Sequence, residues 1–110
     1  MTPPDLRVRL ELLPPEEGGR TRPVSSGIRP HYELVVDGKP LVTTAMHTFA
    51  GGVVVEPGGS AEAEVRFIAY YPDTLCVGDV VSVKDGPHVI GYATVLEVSN
   101  PILERKREAE

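Results

Sequence analysis

Between Leu6 and Leu12 the apolar residues Leu6, Val8, Leu10 and Leu12 alternate strictly with Arg7, Arg9 and Glu11. A period of two places one set of side chains on a dry face and the other on a wet face, the signature of a half-buried strand. The same alternation returns where Ala61, Ala63, Val65 and Phe67 are spaced by Glu62, Glu64 and Arg66. No segment repeats at the helical period, and eleven glycines with eleven prolines punctuate the chain with turns.

Further strands are predicted over His31–Val36 and Leu41–Phe49, joined by Asp37-Gly38, a pair that tolerates positive φ and marks a hairpin. Ala50-Gly51-Gly52 interrupts the pattern before the short apolar run Val53-Val54-Val55 and the turn Glu56-Pro57-Gly58-Gly59. Asp79–Lys84 and His88–Val98 form a second predicted hairpin around Asp85-Gly86-Pro87, and Gly91 inside the last strand predicts a bulge or sharp bend. The expectation is an all-β, six- to seven-stranded antiparallel sandwich or closed barrel, closure being the way such a sheet removes exposed edges.

The 110 residues suit one hydrophobic core, so residues 1–100 are read as a single β-barrel domain. Residues 101–110 are read as a solvated charged tail, because Glu104-Arg105-Lys106-Arg107-Glu108-Ala109-Glu110 mixes both signs without apolar anchors. No run is long and apolar enough to span a membrane, and the opening residues lack the pattern of a signal peptide. Cys76 is alone, which excludes an intramolecular disulfide. A cytoplasmic location is expected.

The segment from Pro14 to Pro30 has four prolines and neither strand nor helix period, and connections of this length are usually functional or disordered. Within it lie Glu16-Glu17-Gly18-Gly19-Arg20, then Pro23, then Gly27-Ile28-Arg29-Pro30 leading into a strand. In order and spacing these residues resemble the carboxy-terminal β-barrel, the third domain, of translation elongation factor Tu. The resemblance continues through Glu56-Pro57-Gly58-Gly59-Ser60-Ala61, Gly78, Asp85-Gly86 and Val89-Ile90-Gly91, covering about residues 5 to 98.

In that family the barrel packs against a GTP-binding domain and a second domain, touches the T-stem backbone of aminoacyl-tRNA and helps to bind the exchange factor Ts. The resemblance therefore implies roles in partner binding for Arg20, Arg29 and Gly86. This chain departs from the family pattern at Thr21, at Tyr71 and in the last hairpin, which reads Gly86-Pro87-His88-Val89. It has no phosphate-binding loop, so no GTP binding is expected. A net charge of −5 argues against strong binding to RNA.

The expected partner-binding residues are Arg20, Arg22 and Arg29 on the long loop, Tyr70 and Tyr71 beside Pro72, and Gly86 in the last hairpin. Guanidinium forks grip carboxylates or phosphates bidentately. The competing structural role is that Arg20 and Arg29 pin their own loop to Glu16, Glu17 or nearby carbonyls, with Gly18, Gly19 and Gly27 supplying positive φ. Tyr70 and Tyr71 are loop aromatics of the kind that anchor interfaces, unless one of them caps the barrel.

His31, His47 and His88 lack the spacing that sets two metal ligands on one face, and no cysteine cluster supports them. No catalytic residue, cofactor or metal is assigned. The leading expectation is a non-catalytic, stand-alone binding module for a protein partner linked to translation or its regulation. Alternatives are tRNA-like RNA binding through Arg20, Arg29 and the Gly86 hairpin, and a small enzyme using the barrel mouth. A homodimer through an exposed face is compatible with each.

Overall fold

A computed structural model describes residues 3–105 and forms a closed six-stranded antiparallel barrel. Its strands are β1 (Leu6–Leu12), β2 (His31–Val36), β3 (Lys39–Thr48), β4 (Ser60–Phe67), β5 (Val80–Asp85) and β6 (His88–Val98). They follow one another around the barrel as β1-β4-β3-β2-β5-β6, and β6 closes back onto β1. The Val53–Val55 run adds no seventh strand: Val53 and Val54 are exposed, and only Val55 forms a bridge, to Val24.

The alternation in β1 maps onto the barrel wall, with Leu6, Val8, Leu10 and Leu12 inside and Arg7, Arg9 and Glu11 outside. Val65 and Phe67 on β4, Val81 and Val83 on β5, and Ala93 and Val95 on β6 join them. Each large aliphatic side chain so removed from water contributes about 1.5–3 kcal/mol of transfer free energy. Outside, the β1 cations are engaged by strand neighbours: Arg7 Nη1 is 2.6 Å from Glu62 Oε1 and Arg9 Nε is 3.3 Å from Glu11 Oε1.

Both hairpins close at the expected residues. Asp37 and Gly38 both take positive φ, the pattern of a type I′ turn whose twist matches the flanking strands. In the other hairpin Gly86 takes φ +60° and Pro87 follows it, a two-residue loop between β5 and β6 with the left-handed residue first. The irregularity predicted at Gly91 lies beside it: Lys84 pairs with Val89 and Val83 with Gly91, so Ile90 is the extra residue. Gly91 itself is required by a close approach, since a Cβ there would stand 2.3 Å from the Glu11 carbonyl oxygen.

The barrel has two unlike ends. The upper end gathers the β1–β2 loop, the β3–β4 loop and the β5–β6 turn; the lower end gathers the β2–β3 turn, the β4–β5 loop and the segment after β6. At the lower end the structure corrects the reading of residues 101–110 as a solvated tail. Leu103 is buried, its amide donates to Asn100, and its carbonyl accepts from the amides of Thr74 and Leu75. Glu104 forms a parallel bridge with Leu75. Arg105 then grips Asp79 bidentately, with both nitrogen–oxygen distances 3.1 Å. The barrel domain thus extends at least to Arg105, and residues 106–110 of the expected tail lie outside the described residues.

Candidate functional site

The long loop after β1 is ordered by backbone bonds rather than by its arginines. Pro15–Glu17 make a short 3-10 turn that ends on Gly18 in the left-handed region. Leu13 donates to the Ile90 carbonyl, Val24 and Val55 exchange both bonds of a bridge, and the amides of Gly27 and His47 reach across to His47 and Ile28. Ser26 Oγ donates to the Phe49 carbonyl and accepts from the Phe49 amide. Buried Val24 and half-buried Ile28 anchor the loop to the core.

Gly18 and Gly27 have the expected positive φ, whereas Gly19 does not. Its role is proximity: a Cβ would overlap the Leu13 carbonyl oxygen.

This scaffold brings three of the expected arginines to one place. Arg20 and Arg29 line a cavity of about 190 Å³ with Val24, Ile28, Pro30, Asp85 and Ile90. Arg20 and Arg22, with Gly19, Thr21 and the same Asp85, line a shallower depression beside it. Gly86, next in sequence, forms the hairpin tip at this rim. The pinning expected of Arg20 is real but has a different acceptor: its Nη1 lies 3.5 Å from Asp85 Oδ2. That contact is long, and the Arg20 Nε atom is buried without a hydrogen-bond partner among the described residues.

Pairing decides which cations remain available. Arg7, Arg9, Lys84 and Arg105 are held by Glu62, Glu11, Glu33 and Asp79. Arg22 and Arg29 are exposed and make no ion pair with a described residue. On an ordered loop, such guanidinium groups meet an incoming anion without a backbone ordering cost, each side chain losing about 0.5–1.5 kcal/mol of rotamer freedom.

Tyr70 and Tyr71 do not join this cluster. They follow β4 in the β4–β5 loop, at the lower end. Tyr71 is half-buried against the core and so caps the barrel, whereas Tyr70 is exposed. Exposed Ile68, Val77 and Ile102 share that end. A groove of about 300 Å³ opens there where β2 and β5, paired only at His31–Lys84 and Tyr32–Val83, draw apart. Leu34, Leu75 and Val81 line it, along with the paired Asp79 and Arg105.

Sequence reasoning did not single out two buried polar groups. His47 is fully enclosed; its Nδ1 donates to the Ala45 carbonyl at 3.2 Å, which leaves Nε2 to accept from the Tyr32 hydroxyl at 2.7 Å. Burial lowers His47 to a pKa of about 4, against a smaller upward pull from the Ala45 bond, and pushes the Tyr32 phenol far above its usual range. Asp5 accepts from the Phe67 amide and from Asn100 Nδ2, tying the amino-terminal segment to the closing one. The period-two pattern marks His47 as inward-facing, and that was the available signal.

Among the described residues no group of three His, Cys, Asp or Glu side chains is placed to hold a metal ion, and no helix is long and apolar enough to cross a membrane. No known protein-family model matches the chain.

Proposed function

We propose that this chain is a non-catalytic binding module of the elongation factor Tu third-domain type, docking a protein partner linked to translation or its regulation through the upper end of the barrel. The observation that carries this reading is the convergence of Arg20, Arg22 and Arg29 around the Asp85-Gly86 hairpin, with Arg22 and Arg29 free of ion pairs among the described residues. The link to translation rests on the resemblance of the long-loop motifs, from Gly18-Gly19-Arg20 to Arg29-Pro30, to those of the elongation factor Tu third domain.

A protein is favoured over RNA by the local charge balance. Glu16, Glu17, Glu56 and Asp85 are all exposed on the elements of the same end. Each phosphate contact must be matched by a cation, and three arginines among four carboxylates leave little net attraction for a polyanion. An acidic or carboxylate-bearing protein surface needs only the two or three bidentate contacts that are present.

The second reading, tRNA-like RNA bound through Arg20, Arg29 and the Gly86 hairpin, is supported by the same clustering. Capture from the native translation extract separates the two. The wild type and a folded Arg22→Glu/Arg29→Glu variant are compared with and without ribonuclease, and captured proteins are identified by mass. A translation component that is retained after ribonuclease and lost in the variant supports the protein reading. Ribonuclease-sensitive capture supports RNA, and capture unaffected by the charge reversal removes the upper end from both.

A further inference from the structure

The cavity between Arg20 and Arg29 has a composition that says more about its occupant than charge alone. Its floor is apolar, formed by Val24 and Ile90 from the core, Pro30, and half-buried Ile28. Its rim carries two guanidinium groups and one carboxylate, Asp85. Arg20 is incompletely satisfied there: among the described residues its Nε is buried and unpartnered, and its one ion pair spans 3.5 Å. A buried donor without an acceptor is unfavourable, so this Arg20 placement is not at its optimum, and its partly exposed guanidinium, held only by the long Asp85 contact, can turn to an arriving anion.

We infer that this cavity takes the carboxy-terminal residue of a partner polypeptide, an aliphatic side chain filling the floor while its terminal carboxylate bridges Arg20 and Arg29. The inference rests on the reading of the upper end as a protein-docking surface and names the chemistry that surface recognises.

Size, the apolar floor and the hydrogen-bonding groups at the rim select this occupant. An engineered apolar cavity of about 150 Å³ holds one benzene molecule, so 190 Å³ admits a leucine-sized side chain with its carboxylate at the mouth. A free phosphate or a sugar–phosphate backbone has no apolar group for Val24, Ile28 and Ile90 to cover and no N–H for Asp85 to accept from. For a peptide, Asp85 is useful instead, because a carboxylate beside the two guanidiniums can accept from the peptide's last amide N–H. Capture of a chain terminus by fixed donors above an apolar pocket is an established recognition mode.

The test is a titration of the isotope-labelled full chain, followed by nuclear magnetic resonance at the Arg20 Nε–H and at the amides of Ile28, Asp85 and Ile90. The probes are a blocked hexapeptide ending in Ile-Leu with a free carboxylate, its carboxamide, a peptide with an internal Glu and a blocked end, and inorganic phosphate. The free-carboxylate peptide is expected to shift all four signals saturably, the other three probes to bind at least about tenfold more weakly, and Arg29→Gln to weaken the first peptide by a similar factor. Arg29 is exposed and makes no ion pair among the described residues, so this variant keeps the fold.

Equal binding of the carboxamide, the internal Glu peptide or phosphate overturns the inference. So does the absence of saturable shifts up to about 5 mM free-carboxylate peptide, a limit set by the weakest affinity a recognition site of this kind would show. If the inference fails while ribonuclease-resistant capture through Arg22 and Arg29 persists, the protein-docking reading stands without it.

Discussion

The Tyr32 hydroxyl donates to His47 Nε2 across 2.7 Å inside the barrel, where burial holds His47 as a neutral imidazole. Its Nδ1 proton is already directed to the Ala45 carbonyl, and a second proton would place a positive charge in the fully buried, apolar interior of the barrel. Tyr32 meets Phe67 edge-on and His47 stacks on Phe49, so the pair sits within an aromatic cluster that excludes solvent.

A pH dependence follows, with a definite sign. The unfolded chain takes up the His47 proton at the ordinary value of 6.5, whereas the folded chain resists it down to about 4. The associated stability is complete above pH 6.5 and is lost as pH falls toward 4, amounting to about 3 kcal/mol over that window. Urea unfolding of wild type and His47→Gln at a series of pH values checks this. The stability difference between the two should narrow across the window, and a pH-independent difference would refute the assignment.

Removing only the hydroxyl, by Tyr32→Phe, leaves a buried imidazole nitrogen without its donor. The expected cost is about 1–3 kcal/mol, read as a lower urea midpoint with unchanged slope.

Closure of the lower end depends on Leu103 more than on Arg105. Leu103→Ala opens a cavity among buried neighbours and is expected to cost about 2–5 kcal/mol. Arg105→Ala breaks an ion pair whose arginine is half exposed and is expected to cost about 1 kcal/mol or less. Thermal unfolding of the two variants should rank them in that order.

At Gly91 the strands β6 and β1 approach too closely for a side chain. A methyl group there meets the Glu11 carbonyl oxygen and the Leu12 Cα, both backbone atoms of a central strand. Gly91→Ala is expected to destabilise by about 1–3 kcal/mol or more, measured by the same unfolding assay.

The strands were legible because a sheet wet on one side leaves a period of two in the sequence, and the hairpins because Asp37-Gly38 and Gly86 are suited to positive φ. What that pattern does not record is contact across the barrel. Nothing in the spacing links Tyr32 to His47, or Asp5 to Asn100. Ile102-Leu103 is a lone apolar pair too short to show a period, so the docking of Leu103 beside Leu75, with Ile102 left exposed, is invisible in the sequence. The same reason divides the expected binding residues: chain position cannot tell that Arg20, Arg22, Arg29 and Gly86 meet at one end while Tyr70 and Tyr71 lie at the other. Nor does sequence reveal that Arg20 is held by Asp85, sixty-five positions away, rather than by Glu16 or Glu17.

The most direct test of the upper end as the docking surface is site-specific photo-crosslinking in the native extract. A photoreactive residue is placed at Thr21 or His88, beside the arginines and the hairpin tip, and for comparison at Tyr70 or Val77 at the lower end. The account expects adducts of one defined protein mass from positions 21 and 88, unaffected by ribonuclease, and none of that mass from positions 70 and 77. Adducts confined to positions 70 and 77, or adducts at 21 and 88 that ribonuclease removes, would contradict it.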